Sequence, residues 1–138
     1  MTFMPEDLEI AIKFLNELNA SLVVVREGEV KFVGFGKGVK ELVDVMTILS
    51  NSSVADKVVG KAAAVILVRN GARAVYGKVM TKAAYNLLTK HDIFVKYSKL
   101  IDKIENCPFE ERVKDINDVK KAWREIMNLY KETVLRKP

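Results

Sequence analysis

The chain has 138 residues, 49% of them apolar and 30% charged, with a formal net charge of +5. That length supports one domain around one core. No stretch approaches the run of about 20 apolar residues that spans a bilayer, so no membrane partner is expected.

From Pro5 to Leu18 apolar residues recur at Leu8, Ala11, Ile12, Leu15 and Leu18, the spacing of a helix with one buried stripe. Pro5 suits its start, and Glu6 and Asp7 suit the positive end of its dipole. SLVVVREGEVKFVGFGKG follows as two β-rich runs around Glu27-Gly28, a two-residue hairpin turn. Strict alternation would put Val30 and Phe32 on one side and Lys31 and Val33 on the other. GFGKG, Gly34 to Gly38, ends the strand; it could cradle a phosphate, but a strand-to-helix turn explains it more simply.

A second amphipathic helix is predicted from Gly38 to Ser50, on Val39, Leu42, Val43, Met46 and Leu49. The next stretch has two readings. VILVRNGARAVYG could be a hairpin turning at Asn70-Gly71. Alternatively Gly60 to Arg69 is a helix buried on every side, ended by Gly71 in the left-handed conformation. A strand from Ala74 to Val79, a helix capped by Thr81 and running to Lys90, and a short strand from Ile93 to Tyr97 complete the middle. Ser98 to Asn106 reads as a connection. From Pro108 the chain is helical, interrupted near Ile116 and Asn117, with Val119, Trp123, Ile126 and Tyr130 on one stripe. This alternation implies a single α/β domain over residues 1–138: three layers with a mixed sheet of four to five strands.

Two motifs stand out within this order: Asp56, Lys57, Gly60, Lys61 and Ala62 to Ala64 in DKVVGKAAA, then Cys107, Pro108 and Glu110 in NCPFE. With them the chain resembles, from about Glu6 to Arg112, a small prokaryotic domain-of-unknown-function family of the cytidine-deaminase-like superfamily. The segment from 116 to 138 is less clearly matched. The resemblance implies a three-layer α/β/α cytidine-deaminase-like fold. In it the segment from Gly60-Lys61 is the central helix, and Asp56, Lys57, Gly60 and Lys61 line a cleft at its start. Zinc chemistry does not carry over. Such deaminases use His-x-Glu and a Cys pair; here Lys61-Ala62-Ala63 and VMTKAAY stand in those places. His91 and Cys107 alone cannot build a tetrahedral site. No metal or cofactor is expected, and His91 suits a helix C-terminus.

Cys107 precedes Pro108, which fits an early helical position, and Glu110 has capping-box spacing from it. A thiol at a helix start is pushed toward thiolate by the dipole, while Glu110 and Glu111 oppose this. The plainer reading is a small buried hydrophobe. Lys61 in a helix's first turn is electrostatically misplaced; half-buried, its amine would become more nucleophilic, paired with Asp56 or Glu110. Otherwise its stem lies on the surface with its head in water. Gly60 and the N–H groups after it could hold an anion. The candidate site is therefore Lys61, Cys107 and Asp56 for chemistry, with Lys57, Gly60 and Glu110 for binding. Cys107 is expected to reach the cleft headed by Lys61.

Three functions fit: a zinc-independent enzyme, or a descendant of one, on a small nucleotide-like or carbonyl compound; a small-molecule sensor without turnover; or an interaction protein dimerising through its C-terminal helix. Nucleic acid is not an expected partner. The Lys residues are interleaved with Glu and Asp apart from Lys120-Lys121, and no basic stripe with interleaved aromatics is visible. The lone Cys excludes an intrachain disulfide framework and fits a reducing cytoplasm. MTFMPEDLEI has no basic-then-apolar order, so no signal peptide is expected. Missing Gln with abundant Lys, Glu and Val leans toward a thermophilic source.

Overall fold

In a computed structural model, described here over residues 4–135, helix α1 (Glu6–Glu17) leads into the hairpin of β1 (Leu22–Arg26) and β2 (Glu29–Gly34). Both turn residues have positive φ, 53° at Glu27 and 75° at Gly28, as the tight hairpin turn demands. Then come α2 (Gly38–Asp44), β3 (Ser53–Val59), α3 (Lys61–Arg69), β4 (Ala74–Thr81), α4 (Lys82–Lys90), β5 (Phe94–Ile101), α5 (Pro108–Val113) and α6 (Val119–Leu135). The five strands form one mixed sheet in the order β2-β1-β3-β4-β5. β1 runs antiparallel to both neighbours, and β3, β4 and β5 are parallel. Among the described residues no helix is long and apolar enough to cross a membrane.

The sheet separates two apolar clusters. Leu8, Ala11 and Leu15 of α1 cover one face with Val23, Val25, Ala55 and Tyr76. The other helices cover the opposite face, giving the three-layer α/β/α arrangement. The ambiguous segment is a helix. Ala62 to Leu67 are all buried, because α3 has sheet beneath it, α2 and α4 beside it and α6 across it. That is why its apolar residues show no polar side. Gly71, at φ 75°, ends it.

Three predictions on the elements are corrected. Val24 pairs with Phe32 but Val25 with Val30, so Lys31 is extra; the bulge puts Phe32 on the α3 side and Val30 opposite it. The second helix does not reach Ser50: it ends at Asp44, and a 3-10 turn, Met46–Ile48, brings buried Leu49 to the core. β5 runs on to Ile101, held by its parallel register with β4, where Thr81 pairs with Ile101. Its middle is exposed at the sheet edge, so no apolar alternation marked it.

The C-terminal stripe is used within the chain. Ala122 and Ile126 are buried against α3, with Val119, Trp123, Met127 and Tyr130 packed around them. Tyr130 Oη donates to Asp44, tying α6 to the end of α2.

Candidate functional site

The parallel strands β3, β4 and β5 end on the side where α3 and α4 begin, which is where open α/β sheets place their clefts. Gly60 is the N-cap of α3 and supplies no side chain to its free N–H groups. Glu110 of α5 supplies one from across the fold. Its Oε1 accepts from the Lys61 N–H at 2.9 Å and its Oε2 from the Ala62 N–H at 2.6 Å. A carboxylate at a helix start meets both the unpaired donors and the positive dipole end. The anion position expected at Gly60 is therefore filled by the chain itself. Glu110 packs directly on Gly60: a Cβ there would lie 2.2 Å from Glu110 Oε1, so the carboxylate would have to move.

Lys61 answers in the other direction. Its Nζ donates to the carbonyl of Lys114, the C-cap of α5, at 3.2 Å. Each of two helices thus sends one side chain to the open end of the other. Neither partner expected for the Lys61 amine takes that place: among the described residues Asp56 makes no ion pair, and Glu110 binds backbone instead. Nor does Glu110 form a capping box with Cys107, whose thiol makes no cap bond. Its carboxylate is committed to α3.

Glu110 and Ile104 stand between two hollows. The first, about 110 Å³ and almost wholly apolar, is lined by Asp56, Val58, Gly60, Ala63 and Cys107 among others. The second, about 190 Å³, lies toward α4 and includes Lys61, Thr81, Asp102, Lys103 and Lys114. Cys107 and Lys61 line different hollows: Cys107 lines the first with Asp56, and also a larger open hollow of about 430 Å³ with Asn106, Pro108 and Glu111. Lys57 follows Asp56 in β3 and lines neither the first nor the second hollow.

The charges in the second hollow balance: three lysines face Asp102, Glu110 and Glu111. Lys82 pairs with Asp102 at 2.9 Å and Lys114 with Glu111 at 2.6 Å. The first hollow is different. Asp56 is buried, and burial pushes its carboxyl up to about 8; the nearby charge of Glu41 adds to this, while the Val58 N–H opposes it. The carboxyl is thus protonated at neutral pH and can donate.

Glu41 escaped the sequence reading. Its Oε1 accepts from Ser21 Oγ at 2.8 Å and its Oε2 from the Gly36 N–H at 2.9 Å. A Cβ on Gly34 would lie 2.2 Å from that carboxylate. The Gly-rich loop therefore wraps an internal carboxylate. The only signal in the sequence was a Glu five residues after Gly36. His91 is the exposed C-cap of α4. Among the described residues, no three His, Cys, Asp or Glu side chains converge to hold a metal.

A family model described as TM1506, domain of unknown function (DUF1893), matches residues 10–130, and the chain belongs to that family. The crystal structure of a DUF1893 family protein (TM1506) from Thermotoga maritima is similar to it, with a TM-score of 0.83 and 26% sequence identity. The match covers 93% of this chain and 92% of that one. None of the curated proteins matches the chain.

Proposed function

We propose that this member of the DUF1893 family captures a small uncharged carbonyl compound in the hollow shared by Asp56 and Cys107, as a zinc-independent enzyme or a descendant of one. We place its fold in the cytidine-deaminase-like superfamily. The layer order and the buried helix that follows β3 support that placement. Lys61-Ala62-Ala63 at the start of that helix, where such enzymes keep His-x-Glu, supports chemistry of another kind.

The observation that carries the reading is one apolar hollow lined by buried Asp56, whose carboxyl burial pushes up to about 8, and by Cys107, a free cysteine. The step it suits is reversible addition. The Cys107 sulfur bonds to the carbonyl carbon, and the C=O π pair moves to oxygen. That oxygen takes the Asp56 proton, and the thiol proton returns to the Asp56 carboxylate. The adduct is a hemithioacetal and no co-reactant is consumed. A general acid suits this work best with a pKa near the working pH. At about 110 Å³ the hollow favours a compound of a few heavy atoms. Pockets for drug-sized ligands run to about 300–1,000 Å³, so a whole nucleotide is disfavoured.

A second reading, a binding module without turnover, is favoured by the apolar lining, whose other carboxylate, Glu110, is bound to the backbone of α3. Isotope-labelled small aldehydes and ketones separate the two. A carbonyl resonance that moves to the tetrahedral range with the wild type, is lost in Cys107→Ser and is weakened in Asp56→Asn supports addition. A rise in melting temperature that survives Cys107→Ser supports binding alone. No spectral and no thermal response to any compound sinks both.

A further inference from the structure

At the opposite end of α3 from the hollow, its last turn meets α6 in an open groove of about 310 Å³. Arg69 of α3 and Lys120, Arg124 and Lys131 of α6 surround Trp123 and Met127. Positions 120, 124, 127 and 131 recur at helical spacing, so they form one stripe beside the buried stripe of Ala122 and Ile126. All four cations are exposed, and among the described residues none enters an ion pair.

The acids of α6 are engaged elsewhere. Asp118 accepts from the Lys120 N–H at 2.9 Å at the helix start. Glu125 and Glu132 face Arg112 at 3.9 and 3.5 Å. Asn128, on the groove rim, donates its amide to Glu125 at 3.3 Å. The groove is therefore positive, with a half-buried indole in its wall.

We infer that this groove docks single-stranded nucleic acid, phosphates on the four cations and a base against Trp123. Charge alone would fit any polyanion. The indole among the cations selects a partner with flat aromatic rings, since a base can stack on it or on the guanidinium planes of Arg69 and Arg124. Lys120 to Lys131 spans about 16 Å of helix, at about 1.5 Å per residue. That length is enough for a few successive phosphates of an extended single strand, in keeping with the four cations along it. Lys120, Arg124 and Lys131 share their stripe within α6, and Arg69 joins them only in the folded chain, where α6 packs on α3.

Trp123 is the sole tryptophan of the chain, so its emission reports the groove directly. The full chain titrated with a deoxythymidine oligonucleotide should show saturable quenching, with a dissociation constant on the order of micromolar to a hundred micromolar. Four neutralised phosphates on a single strand predict a slope of log affinity against log salt near about −2.8. Arg124→Glu and Lys131→Glu, both exposed, should each weaken binding by about fivefold or more and flatten that slope. Unchanged emission, or a salt slope that neither variant alters, overturns the inference. So does a polyglutamate peptide of equal charge that binds as tightly, which would point to an acidic protein partner instead.

Discussion

Glu110 and Lys61 hold each other's helices. The Glu110 carboxylate takes the backbone N–H of Lys61 at 2.9 Å, and the Lys61 ammonium takes the carbonyl of Lys114, just past the helix that carries Glu110, at 3.2 Å. Residues from the two motifs of the sequence thus form one structural clasp.

Removing the carboxylate opens that clasp. Loss of a cap costs about 0.5–2 kcal/mol, and a charge at a helix start contributes up to about 2 kcal/mol. Glu110→Ala should destabilise by about 2 kcal/mol in urea unfolding, and Glu110→Gln, which keeps one acceptor oxygen, by about half as much. Added phosphate should raise the melting temperature of the Ala variant more than that of the wild type, by occupying the vacated helix start. Equal responses of the two proteins would show that Glu110 is not the cap.

Gly60→Ala should act through the same carboxylate. Gly60 has φ −99°, which any residue adopts, so the penalty comes only from the Cβ placed 2.2 Å from Glu110 Oε1 and 2.7 Å from Ile104 Cδ1. The substitution should destabilise by up to about as much as Glu110→Ala, since it displaces the same carboxylate. Combined with Glu110→Ala it should cost clearly less than the sum, because the two share one contact. Additive losses in a double-mutant cycle would refute that coupling.

Asp56 gives stability a pH dependence of known sign. Its carboxyl is raised from 3.8 to about 8 in the folded chain. Between those values the folded chain keeps a proton that the unfolded chain has released. Stability contributed by Asp56 therefore falls as pH rises through that window, by up to about 1.4 kcal/mol per pH unit, and levels off above it. Asp56→Asn stays neutral and removes the term. The variant should gain on the wild type steadily from about pH 5 to about pH 8, read from urea midpoints. A constant gap would mean that Asp56 stays ionised.

Thr81 caps α4, its Oγ1 accepting from the Ala84 N–H at 3.1 Å in a buried setting. Thr81→Ala should cost about 1 kcal/mol, and Thr81→Ser much less, since Ser restores the acceptor. Calorimetry that finds the two equal would assign the loss to the methyl group instead.

Local chemistry was legible wherever a single segment carried it. The turn at Glu27-Gly28, the Thr81 cap and the stripe of α1 at Leu8, Ala11 and Leu15, though not at exposed Leu18, were visible, because spacing and turn chemistry act within a few residues. The α3 segment was not decidable that way. A helix buried on every side and a buried strand share the same apolar run, and Asn70-Gly71 serves a hairpin turn as well as a helix end. The bulge at Lys31 and the reach of β5 to Ile101 also depend on partner strands rather than on their own residues.

By itself the sequence determined the α/β class with a mixed sheet and the residue types that gather at the start of α3. Periodicity and composition report which faces must be buried. Tertiary structure decided what those residues do. Glu110 lies 49 positions from Lys61 in the chain, so its turn to α3 leaves no local trace. Only the crossing of α5 over the start of α3 fills the anion position, parts Lys61 from Cys107 and leaves the thiol with Asp56. A buried carboxyl takes its proton from the absence of water around it, and that absence is a property of the packed chain.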